Sequence, residues 1–205
     1  MLKTIRVGDH NLRTVFVWLP DLTHPCGVPG GRLPCPRCKT NHKVIIKGWT
    51  QKGSRRGVLR DSCCDLVGKF YMCNACAEHN ESKPKAISVF FQGWDEDVRR
   101  LLPIYIEESF PFVLTRKSAI HRSVIADVTD NLMHAKGFKA CSEVLQQAHR
   151  HTFHLAEAKY YSMLVHRRAE QLGSGAEDNF GSFEDADGYN GFSPSAPYLS
   201  MVWSR

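Results

Sequence analysis

No run of eighteen apolar residues occurs anywhere in the 205 positions of the chain, which argues against a membrane-spanning helix. The opening stretch MLKTIRVGDHNLR carries charge with no continuous apolar segment behind it, so no secretory signal is expected. A chain kept inside the cell meets glutathione and thioredoxin. That disfavours a disulfide framework for its eight cysteines. Catalytic signatures are missing as well: there is no G-x-x-x-x-G-K-S/T phosphate loop, no G-x-S-x-G elbow, no H-E-x-x-H helix and no spaced acidic set suited to Mg²⁺. No enzyme active site is evident. Apolar residues are not scarce, however; 42% hydrophobic and 23% charged is enough for a core, in one domain or two small ones.

Charge is unevenly spread. Residues 1–100 carry 17 Lys or Arg against 9 Asp or Glu, residues 101–172 carry 9 against 7, and residues 173–205 carry 1 against 5. A basic front half suits a phosphate-bearing partner, although solubility alone also favours such an excess.

VFVWLPDL, Val15 to Leu22, reads as a short strand ended by Pro20. Four Pro and three Gly crowd between Pro25 and Pro36, so a loop delivers the first C-x-x-C pair. KVIIKGW, RGVLR and VGKFYMC then read as three strands, and AISVFFQGW as a fourth. From Trp94 the pattern turns helical. DEDVRRLLP predicts a short helix with acids at its start and Pro103 beyond its end; IYIEESFPFVLT, broken by Pro111, is left open. Ile120, Val124, Val128 and Leu132 predict a helix over Ser118–Ala135, with Gly137 as a left-handed cap. A second helix places Cys141, Val144, Leu145 and Ala148 on one face, a turn follows near Arg150, and Thr152 caps a longer helix that faces inward through Leu155, Ala158, Val165, Ala169 and Leu172. Three such helices have a helix-turn-helix-like order.

The expected fold class is therefore α+β: a zinc-ribbon-like cysteine-rich part over 1–94, a small helical bundle over 95–172, and a flexible acidic Gly/Ser linker over 173–205 leading to an absent downstream domain.

The chemistry lies in two knuckles, Cys35-Pro-Arg-Cys38 and Cys73-Asn-Ala-Cys76. Zn²⁺ takes four soft ligands at the corners of a tetrahedron, and each C-x-x-C presents two thiolates. Thirty-four residues separate the pairs, longer than a short ribbon, as three intervening strands would require. A thioredoxin-like redox pair is the alternative, but it uses one C-x-x-C in a βαβ setting. Cys26 and Cys141 read as small apolar residues. Cys63 and Cys64 are neighbours on a strand and point to opposite faces, so at most one reaches a given metal. With His42 and His79 they form a candidate second site.

Lys43, Lys47, Lys52, Arg55, Arg56 and Arg60 fall within eighteen residues together with Trp49. Lys47, Lys52, Arg55, Arg56 and Arg60 are the candidate nucleic-acid contacts, with an indole available to stack on a base. A solvated loop with a core tryptophan has the same appearance. His151 and His154 lie three apart but lack a carboxylate to complete a metal triad.

FVWLP, LPCPRC, YMCNAC, FPFVLTRKSAI and LMHAKGFKACSEVL, in that order, resemble a cysteine-rich domain of unknown function found upstream of RNase-H-fold transposase-like domains in transposon-derived proteins. The resemblance covers most of residues 15–172. It implies zinc on Cys35, Cys38, Cys73 and Cys76, DNA as partner, a nuclear location, and any catalytic acids beyond residue 205. Cys63-Cys64 has no place in that pattern. A nucleic-acid-binding module without catalysis of its own is the function expected; a protein-interaction module with folding zinc and a thiol oxidoreductase are the alternatives.

Overall fold

A computed structural model of the protein describes residues 14–50, 54–76, 89–171, 183 and 193–204. It is α+β, in two compact units: a cysteine unit of Val15–Arg55 with Asp65–Phe112, and a helical unit of Met1–Thr14, Arg56–Cys64 and Val113–Arg205. The boundary expected at 94/95 falls inside the cysteine unit. None of the described helices is long and apolar enough to cross a membrane.

In the cysteine unit β1, Thr14–Trp18, is followed by the one-turn helix α1, Pro20–Thr23. Proline ends the strand and opens the helix, since its fixed φ and missing N–H suit a first helical position. β2, Val44–Trp49, and β5, Val89–Gln92, flank the C-terminal half of β4, Cys63–Cys73, both antiparallel. β1 also pairs with β4. Burial along β4 alternates with a period of two in two phases: Cys64, Leu66 and Gly68 are buried along one face of its first part, and after the half-exposed pair Lys69 and Phe70 the buried side changes to Tyr71 and Cys73, with Met72 half-exposed between them. A bulge interrupts β2 between Ile46 and Gly48, where Gly48 takes φ 121°, a backbone conformation that side chains disfavour.

Two short helices, α2 (Glu96–Arg99) and α3 (Ile104–Glu108), close the unit. Trp18, Leu33, Leu66, Phe91, Trp94, Val98, Ile106 and Phe110 form its core. Apart from the Trp94 indole N–H, the polar groups described here are partnered. The Trp18 indole donates to the Gly93 carbonyl at 3.2 Å, and buried Arg99 donates through Nε to the Trp94 carbonyl at 3.0 Å with its guanidinium over the Phe110 ring. Tyr71 Oη donates to buried Asp21 at 3.1 Å, with Lys69 Nζ 3.5 Å from the other carboxylate oxygen. Burial first, then the Asp21 charge, holds the Tyr71 phenol well above its ordinary range.

In the helical unit β3, Arg55–Val58, runs parallel to β7, Ser118–His121, which also pairs with β6, Phe112–Leu114. α4, Arg122–Met133, follows β7 directly, so the helix expected from Ser118 begins four residues later. Ile120 and Val124 are buried either way, and a four-residue spacing cannot distinguish a strand end from a helix start. The left-handed residue after α4 is Ala135, φ 60°, rather than Gly137.

α5 is one unbroken helix, Phe138–Gln171. The expected turn near Arg150 is absent, because Thr152 needs no cap when the helical register continues through it. Its inward face is also corrected. Val144, Leu155 and Val165 are exposed, whereas Cys141, Leu145, Tyr160 and Leu164 are buried, and His149 fills an inward position with Nε2 3.0 Å from the Leu59 carbonyl oxygen.

The linker expected through 205 ends sooner, since Ala196–Trp203 forms the helix α6. Leu199 and Val202 join Val58, Ile120, Val124, Val128, Cys141 and Leu145 in one core. Tyr198 meets the hydroxyls of Thr115 and Ser118, Ser142 Oγ donates to the Pro194 carbonyl at 2.8 Å, and the Trp203 indole donates to Thr129 at 3.0 Å. Phe183 packs separately on Phe153, Tyr160 and Leu164.

His121 caps α4: its Nδ1 accepts from the Ser123 N–H at 3.1 Å. Burial, then the Arg60 charge, lowers its imidazole below the usual range. A lowered histidine stabilises the fold above its unfolded value, about 6.5, and that contribution is lost as pH falls below it. His121→Ala is expected to destabilise by about 1 kcal/mol at neutral pH. His121→Ser keeps a capping oxygen and removes the acid sensitivity. Urea denaturation at about pH 5.5 and 7.5 checks both, and an unchanged pH slope in His121→Ser refutes the assignment.

Candidate metal centre

The first knuckle is a tight turn. The Cys35 N–H donates to the Thr40 carbonyl at 2.9 Å and the Lys39 N–H to the Cys35 carbonyl at 2.8 Å. Lys39 takes φ 59° to make it, a left-handed conformation that is uncommon outside Gly, Asn and Asp. In the second knuckle Cys73 ends β4, and a helical turn from Asn74 brings Cys76 back beside it. The Asn74 N–H donates to the Lys43 carbonyl at 2.9 Å, tying this turn to the start of β2.

All four sulfurs lie within 4.8 Å of one another. Cys35 and Cys76 are 3.8 Å apart and Cys38 and Cys73 are 3.6 Å apart. A tetrahedral ion with metal–sulfur bonds of about 2.3 Å has sulfur–sulfur edges of about 3.8 Å. A disulfide needs about 2.05 Å. The quartet thus has the dimensions of one four-coordinate ion, with sulfurs of the two knuckles in contact. Cys35, Cys73 and Cys76 are buried and Cys38 is half-buried.

The four thiols differ in acidity. Burial opposes ionisation of Cys38, but the Thr40 hydroxyl 3.1 Å away, the Thr40 N–H and the neighbouring thiols outweigh it and bring the group down to about 6. Burial raises Cys73 and Cys76 above the usual thiol range, and the adjacent cysteines raise Cys76 further. Thr40 was not singled out by residue type, although its position two places after a knuckle cysteine, inside the turn, is a readable signal.

The other expected site residues are dispersed. Cys63 and Cys64 lie at the start of β4, half-buried and buried, and His42 is exposed with its carbonyl accepting from Arg32 at 2.9 Å. Among the described residues, the cysteine quartet is the one group of three or more His, Cys, Asp or Glu close enough to hold an ion, so neither these cysteines nor His42 form a second centre there. His79 and Lys52 lie outside the described residues.

Lys47 and Trp49 are exposed on β2 in the cysteine unit, where Arg55 sits over the Trp94 ring at 5.9 Å. Arg56 and Arg60 belong to the helical unit. Arg60 donates through Nε and Nη2 to both carboxylate oxygens of Asp127 at 2.6 Å, so this guanidinium is engaged by an acid of its own chain. His151 and His154 are exposed on α5. The chain matches no protein-family model, no curated protein and no solved structure.

Proposed function

We propose that this chain is a zinc-stabilised nucleic-acid-binding module, without catalysis of its own, belonging to the transposase-like proteins its sequence resembles and acting on DNA in the nucleus. The observation that carries it is the thiolate quartet and the charge of the stretch between its halves. Residues 39–72, between the two knuckles, contain eight Lys or Arg against two Asp and no Glu. Soft thiolates at tetrahedral spacing favour zinc, which supplies structural rigidity and no redox chemistry. Basic side chains on a metal-stapled scaffold supply phosphate contacts.

A labelled DNA duplex titrated at several salt concentrations tests the partner. Binding is expected to weaken steeply with salt, by a log–log slope of about −0.9 for each phosphate engaged. Reversing Arg55 and Arg56 to glutamate is expected to reduce affinity at least about tenfold at low salt. Salt-independent retention, or no retention of either the duplex or its separated strands at micromolar protein, refutes the DNA assignment.

A protein-interaction role has one observation of its own. Val144, Leu155, Tyr161 and Val165 are exposed apolar residues on α5, and exposed apolar patches mark docking sites. On that reading charge reversal leaves nucleic-acid retention unchanged.

A further inference from the structure

The cysteine unit has a second sheet face whose composition neither the metal centre nor the core accounts for. Met72 on β4 pairs with Ile45 on β2 and Phe90 on β5; Met72 and Phe90 alternate with the buried residues Tyr71, Cys73 and Phe91, and Ile45 follows buried Val44. At the C-terminal end of β4 the two-residue period puts them on the side opposite Tyr71 and Cys73. Phe70 lies on the same face, opposite Gln92, and its ring stacks on Phe90 with centroids 5.4 Å apart and planes 2° from parallel. Phe90 is 49% exposed. Solubility and folding do not call for a stacked aromatic pair facing water.

The border of this face is basic. Lys39 in the first knuckle, Lys43 before β2 and Lys47 at its bulge are exposed, and β2 is an outer strand that pairs with β4 alone among the described strands. No acid occurs between residues 22 and 60 to oppose them. Aromatic rings on an open sheet beside a row of cations form the arrangement that binds unpaired bases by stacking and their backbone by charge. A duplex hides its base faces and cannot use the rings.

We infer that this face is a binding site for single-stranded DNA, with bases stacked on Phe90 and Phe70 and the phosphates running along Lys39, Lys43 and Lys47. The inference rests on the nucleic-acid reading above and specifies the form of DNA bound. It also gives the metal a positional role. The second knuckle follows directly from β4, and its link from Asn74 to Lys43 holds the basic border beside the aromatic face.

The test is fluorescence anisotropy of the full zinc-loaded chain with a labelled thymidine oligonucleotide, a uridine oligonucleotide and a duplex of equal length. Wild type is expected to prefer the single-stranded DNA. Phe90→Ala is expected to lose about tenfold or more on that strand and to leave duplex binding within about twofold. Phe90 is largely exposed, and circular dichroism of the variant reports its folding. Phe90→Trp should retain affinity, and its added indole emission should be quenched by the strand, a signal that a merely structural Phe90 does not produce. If the duplex is bound and the single strand is not, or if Phe90→Ala lowers both equally, this inference falls and the charge-based reading stands. Tighter binding of the uridine strand overturns the DNA assignment. If no oligonucleotide binds, both readings fall.

Discussion

Replacing Cys73 and Cys76 together by serine is expected to abolish metal binding and unfold the cysteine unit. Structural zinc contributes about 10 to 16 kcal/mol in small domains, as much as the whole net stability of a typical domain, about 5 to 15 kcal/mol. The two residues close the far ends of both short sulfur–sulfur contacts, Cys35 to Cys76 and Cys38 to Cys73, so their loss breaks both contacts and leaves two ligands where a tetrahedral ion takes four. Plasma mass spectrometry should find about one zinc per wild-type chain and none in the variant. A folded, metal-free wild type with reactive thiols would refute the structural-metal reading and favour a redox pair.

Acid acts in the same direction as the mutation. Thiols bind metal as thiolates, and burial keeps Cys73 and Cys76 protonated at neutral pH until an ion displaces the proton. Metal affinity should therefore fall steadily as pH drops from about 7.5, more steeply below about 6, where Cys38 also regains its proton. Competition with a chromophoric chelator across that range measures it; a flat profile means that thiolates are not the ligands.

Trp94→Ala is expected to destabilise the cysteine unit by about 3 to 5 kcal/mol, the usual effect of removing a large buried aromatic. The indole is 2% exposed and fits against Gly68, where an added Cβ would lie 2.8 Å from two ring carbons. Gly68→Ala alone should therefore cost about 1 to 3 kcal/mol through overpacking. In the Trp94→Ala background the same change should cost much less, because the clash is gone. The Trp94 indole N–H is buried and makes no hydrogen bond among the described residues. Trp94→Phe should consequently cost less than the lost ring area suggests, since a desolvated donor leaves with it. Denaturation of the three single variants and the double variant measures these values, and strict additivity of Gly68→Ala with Trp94→Ala would refute the packing account.

Individual segments show where a linear reading succeeds. KVIIKGW, RGVLR and VGKFYMC contain β2 and most of β3 and β4, because β-branched and aromatic residues bounded by turn formers leave little else to form. The α4 stripe succeeded for its burial and failed at its start, where β7 supplies the first four residues. On α5, Leu155 and Val165 recur with helical spacing and yet face solvent. Periodicity identifies a helix and an apolar stripe, but which stripe is covered depends on what packs against it. Phe183, from far along the chain, covers Tyr160 and Leu164 instead.

What the sequence determined by itself is the candidate ligand set. Two C-x-x-C turns are local geometry, each able to present two thiolates whatever surrounds it, and four thiolates suit a tetrahedral ion. Convergence of the sulfurs to within 4.8 Å was decided by tertiary structure, through β2 and β4 pairing in a register that places Val44 opposite Cys73. The same pairing placed Ile45, Met72 and Phe90 side by side, and it left the basic residues of one short stretch divided between two units. Thiolate chemistry resides in residue type and short spacing, whereas juxtaposition across thirty-four residues depends on strand register, which only the packed sheet defines.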